Sequence, residues 1–376
     1  MIARVGIILL TTIGAGVLAA PPAQAASTGV VSVTKTTWVQ YKAGSGTTNK
    51  VTITRSGRTV TVDDKVKIKA GKGCKAVKGD KTKVRCKLKK NPTRVVVYAG
   101  SRNDTVVNKT GIRATFEGGS GNDVLVGGSN LDRLFGNSGA DRIYGGGNND
   151  YAHGGTGNDK LYGQGGNDYL YGNENDDTLY GGEGFDVLAG DTGNDKLYGE
   201  RHYDRLTGGA GNDRLDGGAG PDVLDGDKPG VIGADVILGG PDDDMVIYRR
   251  ATATVDLDGA KGDDGAPGER DSVGSDVEDI TAEGSGTYVL TGNNAANWIR
   301  GGSGDDVIRG GGGNDEIYGD AGANRLFGDA GDDKIHGSDF YEDAADTLDG
   351  GTNTPEIGDL CWLGGTDTAT ACERLP

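Results

Sequence analysis

Between residues 118 and 225 an aspartate recurs at every ninth position: Asp123, Asp132, Asp141, Asp150, Asp159, Asp168, Asp177, Asp186, Asp195, Asp204, Asp213 and Asp222. Carboxylates are hard anionic oxygen donors, so an evenly spaced row of them suits repeated cation binding better than one unique reaction centre. Cut from Gly118, the sequence divides into twelve consecutive nine-residue units without insertion, from GGSGNDVLV through GGTGNDKLY to GGAGPDVLD. Position 1 is always Gly and position 6 always Asp, while position 8 is Leu or Ile in eleven units and Ala152 in the other. Position 4 is Gly or Asn in eleven units, with His202 the exception.

Those fixed positions define the elements that must hold the carboxylates. Gly, and less readily Asn, accepts positive φ, so positions 1 and 4 are expected to turn the chain sharply and aim backbone carbonyls inward. Positions 7 to 9 are expected to form a short strand, which sends residue 8 to one face and residues 7 and 9 to the other. One such apolar residue per unit is a thin core, made continuous only by stacking coil on coil. Residue 9 of alternate units then sets Tyr144, Tyr162, Tyr180 and Tyr198 in succession on one outer face. Such a ladder suits cross-strand stabilisation, or stacking against sugar rings.

The units resemble the RTX, or haemolysin-type, calcium-binding repeat GGxGxDxUx. That resemblance implies an all-β fold, a right-handed parallel β-roll with two nonapeptides per coil. It also implies Ca2+ ions between successive turns of one edge, held by position-6 carboxylates and loop carbonyls. Unit n then shares an ion with unit n+2, as Asp123 does with Asp141, giving about ten sites if every turn closes. The tenth unit departs from the pattern, with Glu200, Arg201 and His202 in place of Gly-x-Gly.

Outside the block the register continues imperfectly. Residues 99–107 (AGSRNDTVV) look like a leading unit with Asp104; longer or isolated units reach Asp235 and Asp244, completing an array over 99–247. Residues 248–282 break the period and include GAKGDDGAPGER, expected as a β-arch or loop because its four Gly-X-Y triplets are very short for a triple helix. A second array over 283–349 has Tyr288, Asn297, Asp306, Asp315, Asn324 and Asp333 at its sixth positions, so fewer ions are expected there. A closing cap is expected over 350–376.

Residues 26–98 alternate as strands do and are expected to form a small antiparallel β domain, with a hairpin turn at Ser56-Gly57. This segment holds 18 Lys and Arg against three acids, whereas residues 99–376 hold 20 against 53. The Lys-rich stretch is either a solvated face that balances the acidic roll or a contact for a cell-wall polyanion. The acidic remainder makes nucleic acid a poor partner and cations a natural one. With 71 Gly in 376 residues and 34% hydrophobic content, helix bundles and a large oily core are excluded.

Residues 1–25 read as an export signal: Arg4, an apolar run from Val5 to Ala20, and a small-x-small site at Ala23-Gln24-Ala25. No later stretch has the roughly 20 apolar residues of a membrane span. Four cysteines leave three connectivities open; export favours the local bridges Cys74 with Cys86 and Cys361 with Cys372. A metal site is the alternative, though neither pair has CxxC spacing or a nearby His. No HExxH or GxSxG occurs, the three His are scattered, and no segment remains for a catalytic domain, so a non-enzyme is expected. Many relatives of this type carry a C-terminal secretion signal. The ending LGGTDTATACERLP looks instead like that of secreted actinobacterial repeat proteins, which implies an extracellular or wall-associated protein. The functions expected are Ca2+-dependent folding outside the cell or, alternatively, adhesion to wall polymers or glycans.

Overall fold

A computed structural model describes residues 28–227, 233–249, 252–337, 344–352 and 358–373. The expected export signal lies outside them. Among the described residues there are 36 strands and no helix. They form sheets of 17, 13 and six strands, parallel except near the N-terminus and in short bridges.

Alternate units feed opposite sheets. In one, Arg133–Ser138, Tyr151–Thr156, Tyr169–Glu174 and Val187–Thr192 pair in parallel, with Leu134, Ala152, Leu170 and Leu188 in line. In the other, Arg142–Gly147, Lys160–Gly165, Thr178–Glu183 and Lys196–Arg201 align Ile143, Leu161, Leu179 and Leu197. The eighteen-residue step between partners is one full coil. All eight side chains are completely buried. Full burial of a Leu contributes roughly 1.5–3 kcal/mol, and their alignment joins the thin stripe of each coil into one core reaching from Val31 to Cys361. The strands are longer than the three residues expected, six in most units, because each runs on through the next unit's Gly to its third position.

The turn residues correct one expectation. Positive φ falls at positions 2 and 4, each in eleven of the twelve units, and at no position 1. Position 1 is Gly for room rather than for rotation. A Cβ on Gly163 would strike Asp168 Oδ2 and the carbonyl oxygen of Gly181 in the next coil, and Gly136, Gly154 and Gly172 are hemmed in the same way.

The 17-stranded sheet passes from the first array to the second without a break, through Val223–Asp227, Met245–Tyr248, Asp279–Ala282 and Trp298–Arg300. The opposite sheet stops at Ser272–Val273, and a new one begins at Thr252–Asp256 and continues to Thr368–Thr370. The roll therefore keeps one face and exchanges the other. Residues 257–271 make the excursion at that exchange, folding back through antiparallel bridges Thr254 to Gly265 and Asp264 to Asp271.

At the N-terminal end, Lys50–Ser56 and Thr59–Asp63 form an antiparallel hairpin in which Ser56 pairs with Thr59 and Gly57 has φ 55°. These strands hydrogen-bond straight into the roll: Trp38–Lys42 pairs with Arg94–Ser101 and Lys50–Ser56 with Thr105–Asn108, both in parallel. Disulfides join Cys74 to Cys86 and Cys361 to Cys372.

Candidate metal centres

Each position-6 Asp sits between the turn and the strand, where its side chain points along the edge of the roll into the interior. All seventeen aspartates singled out above at sixth positions, from Asp123 to Asp333, are at most 2% exposed. In both edges the backbone N–H of one Asp donates to Oδ1 of the Asp one coil on. The first ladder runs Asp104, Asp123, Asp141, Asp159, Asp177, Asp195, Asp213, Asp235 and Asp271, at 2.6–2.9 Å. The second runs Asp132, Asp150, Asp168, Asp186, Asp204, Asp222 and Asp244, and ends on Glu278. The n and n+2 carboxylates expected to act together are thus brought together.

Oδ1 is used; Oδ2 is not. In sixteen of the seventeen residues Oδ2 is buried and accepts no hydrogen bond. Such an oxygen costs roughly 1–3 kcal/mol if left so, and more when charged. Beside it lies the space that position-1 Gly keeps open, and across that space the carbonyl oxygen of the next coil's Gly. A buried, partnerless carboxylate oxygen facing a carbonyl oxygen across a gap with no side chain is a donor set for a hard cation, and calcium fits it. The electrostatics agree. Burial pushes Asp150, Asp177, Asp235 and Asp244 up to about 8 and Asp204 to about 9. It pushes Asp141, Asp168 and Asp222 to about 7. Without a positive charge at hand, the five groups pushed to about 8 and 9 hold protons at neutrality.

Asp132 differs. Its Oδ2 accepts the N–H of Gly128, and its unit, GGSNLDRLF, shows positive φ at neither Gly128 nor Asn130. That loop closes on its own carboxylate. In the second array Asn does similar work: Asn324 donates to the carbonyl oxygens of Asp320 and Gly322 at 3.3 and 3.2 Å, and Asn297 to that of Glu278 at 2.6 Å. Tyr288 fills its sixth position with a fully buried ring.

Four acids that continue the edges escaped the nine-residue pattern. Asp271, Glu278, Asp359 and Asp367 accept from Asp235, Asp244, Asp333 and Asp346 across 36, 34, 26 and 21 residues. A further regularity at position 5 was also missed: Asn122, Asn149, Asn167, Asn194 and Asn212 accept backbone N–H groups from the following coil. Asn and Asp next to the ligand position carry that signal in the sequence.

The tyrosine ladder forms as expected. Tyr144, Tyr162, Tyr180 and Tyr198 stack at 4.8, 5.0 and 5.0 Å between centroids, with planes within 10°. Each inner ring has both faces covered by its neighbours, leaving edges and hydroxyls outward. Phe135, His153 and Tyr171 stack likewise on the opposite sheet, as do Tyr318, His336 and Trp362 further along it.

Residues 117–228 and 291–339 match, in overlapping blocks, the family model described as RTX calcium-binding nonapeptide repeat (4 copies). No curated protein matches the chain. The periodic edges, the parallel roll and these matches agree: over those two stretches the chain carries RTX calcium-binding nonapeptide repeats.

Proposed function

We propose that this is a secreted, non-catalytic protein whose roll folds when calcium fills its edges outside the cell. The observation that carries this is the row of buried Oδ2 atoms without hydrogen-bond partners, opposite the open Gly positions. In this reading the ligand carboxylates are the sixth-position aspartates apart from Asp132, together with loop carbonyls. Bound calcium supplies the positive charge that lets adjacent carboxylates stay ionised inside the roll. The chain's own part is to bring ligands from successive coils into one gap and to shield them from water. With dissociation constants of about 10⁻⁴ to 10⁻³ M and calcium near ~1 mM, each site adds ~0.4 to 1.4 kcal/mol, and almost nothing at cytosolic micromolar levels. Two disulfides and an apolar N-terminal run accord with export. Circular dichroism in millimolar calcium and in EDTA tests the reading; equal strand content in both would end it.

A second reading, adhesion to an anionic wall polymer, is favoured by the N-terminal region, where Lys75, Lys78, Arg85 and Lys87 line one surface groove. Pull-down on cell walls should then succeed at low salt and depend on these side chains. The tyrosine ladder is assigned to stabilisation, since sugar stacking requires free ring faces and the inner rings have none.

A further inference from the structure

On the outer face of the 17-stranded sheet, where the N-terminal strands join the roll, positive charge gathers without negative charge to match it. Trp38, Arg94 and Arg113 stand in register on three adjacent parallel strands, Trp38–Lys42, Arg94–Ser101 and Arg113–Ser120. The residues that follow them, Val39, Val95 and Ala114, are buried, so alternation turns all three side chains outward in a row stepped at about 4.8 Å. Arg133, opposite Thr115, adds a third guanidinium to that face. Lys35, opposite Trp38 at the other end of the row, adds an ammonium.

Aromatic rings rather than carboxylates hold these cations. Lys35 Nζ lies 3.8 Å, and the Arg94 guanidinium carbon 5.1 Å, from the centre of the Trp38 ring, and the Arg133 guanidinium carbon 5.8 Å from that of Tyr151. A ring attracts a cation without cancelling its charge. Among the described residues none of Lys35, Arg94, Arg113 and Arg133 enters an ion pair, whereas Arg201, Arg300 and Arg309 further along the roll each meet a carboxylate. Asp132, which does bear on Arg94, is fully buried and already accepts the N–H groups of Ala114 and Gly128. Burial first, and then the charges of Arg133 and Arg113, hold Arg94 below its ordinary value. Like charges crowded in this way are relieved by an anion. Arg94 and Arg113 line one groove of about 450 Å³. Pro92 and Ile112, both buried, give that groove an apolar part, and Thr93 and Asn130 a polar one. Asn130 comes from the loop that closes on Asp132, so the unit that spends its carboxylate internally supplies a wall here.

We propose that this groove binds an acidic polysaccharide, with a carboxylate or phosphate group taken by Arg94 and Arg113 and a sugar ring seated against Pro92 and Ile112. A guanidinium meets either oxyanion through two parallel N–H groups. The apolar lining suits the C–H face of a sugar, and the Thr93 hydroxyl and Asn130 amide suit its hydroxyls. A bare polyphosphate has no use for either. Lys35 and Arg133 flank the pair along the row, so a chain longer than one sugar gains further contacts. The site takes its ligand class from the adhesion reading above but uses different residues, on the opposite sheet from the Lys75 groove, so the two can fail separately.

Full-length protein in millimolar calcium is titrated calorimetrically with hyaluronate, a carboxylated glycan, with phosphomannan, a phosphorylated one, and with neutral dextran. Binding to an acidic glycan and not to dextran is expected, and the tighter of the two identifies the anion. In the double variant Arg94→Gln, Arg113→Gln the affinity should fall at least about tenfold, through the loss of charge-assisted hydrogen bonds. Arg113 is exposed and its side chain makes no hydrogen bond among the described residues, so Arg113→Glu alone repeats the test should the double variant not fold. The variant Lys75→Gln, Lys87→Gln is the reference. Loss in the arginine variants supports the groove, whatever the lysine variant does. Loss in the lysine variant alone overturns it and leaves the adhesion reading standing, and unchanged affinity in all of them overturns both. No binding to either acidic glycan, or equal binding to dextran, overturns the groove as well.

Discussion

The two arrays solve the same loop problem with different chemistry. In the uninterrupted twelve-unit block of the first, eleven of twelve sixth-position side chains leave a carboxylate oxygen buried without a hydrogen bond; in the second, three of six do. Elsewhere in the second array Asn297 and Asn324 satisfy loop carbonyls with their own N–H groups, and Tyr288 fills the space with a ring. An amide brings its donor with it, whereas a carboxylate must find one from outside. On the proposed reading, the first array depends on a cation and the second depends on it less.

The largest expected effect is a regional one. Stripping calcium should abolish amide-exchange protection across 136–225 and reduce it less across 286–336, as read by hydrogen exchange with mass spectrometry. Equal loss in both would erase the contrast. Proton concentration should act next. In the folded roll burial raises these carboxyls to about 6 to 9, whereas in the unfolded chain they ionise near ~3.9. The folded state thus binds more protons, so metal-free stability is fully present below about 4 and is lost as pH rises through those values. Calcium-stripped protein should gain strand signal as pH falls from 8 to 5, and calcium binding near pH 7 should release protons, measurable by calorimetry in buffers of different ionisation enthalpy.

Single substitutions sharpen the same contrast within one array. Gly163→Ala should destabilise by roughly 1–3 kcal/mol, because the new methyl meets Asp168 Oδ2 and the Gly181 carbonyl. Asp168→Asn should lose about one ion and ~0.4 to 1.4 kcal/mol at ~1 mM calcium. Asp132→Asn should leave the stoichiometry unchanged, since Asp132 already accepts from Gly128. Smallest is His202→Gly, which relieves a left-handed residue at φ 73° and should stabilise by up to about 1 kcal/mol.

Much of this architecture can be read from composition and spacing. Asp at position 6 and Leu at position 8 place carboxylate and core correctly, because a strand alternates strictly and each coil repeats its predecessor. Position-1 Gly misleads, since the letter does not distinguish a residue that must rotate from one that must stay small. Asp132 is also illegible: GGSNLDRLF looks ordinary, and only the conformation of Gly128 and Asn130 shows that its carboxylate is engaged. Asp271, Glu278, Asp359 and Asp367 were hidden for a different reason. The edge counts coils, and a coil may carry extra residues in an outer loop without shifting the carboxylate that follows. The exchange of sheets at residues 252–273 leaves no periodic trace at all.

Because partners are eighteen residues apart, the roll has a parity. Removing two successive units would shorten the rod by one coil, about 4.8 Å, and leave every later residue on its own side. Removing one unit would send all later tyrosines, aspartates and loops to the wrong side. Gene-level growth or loss should thus be tolerated in steps of fifty-four nucleotides and punished in steps of twenty-seven. The four extra residues between Asp213 and Asp235 show that a coil can still lengthen while the next carboxylate keeps its edge, so long as the count of turns stays even.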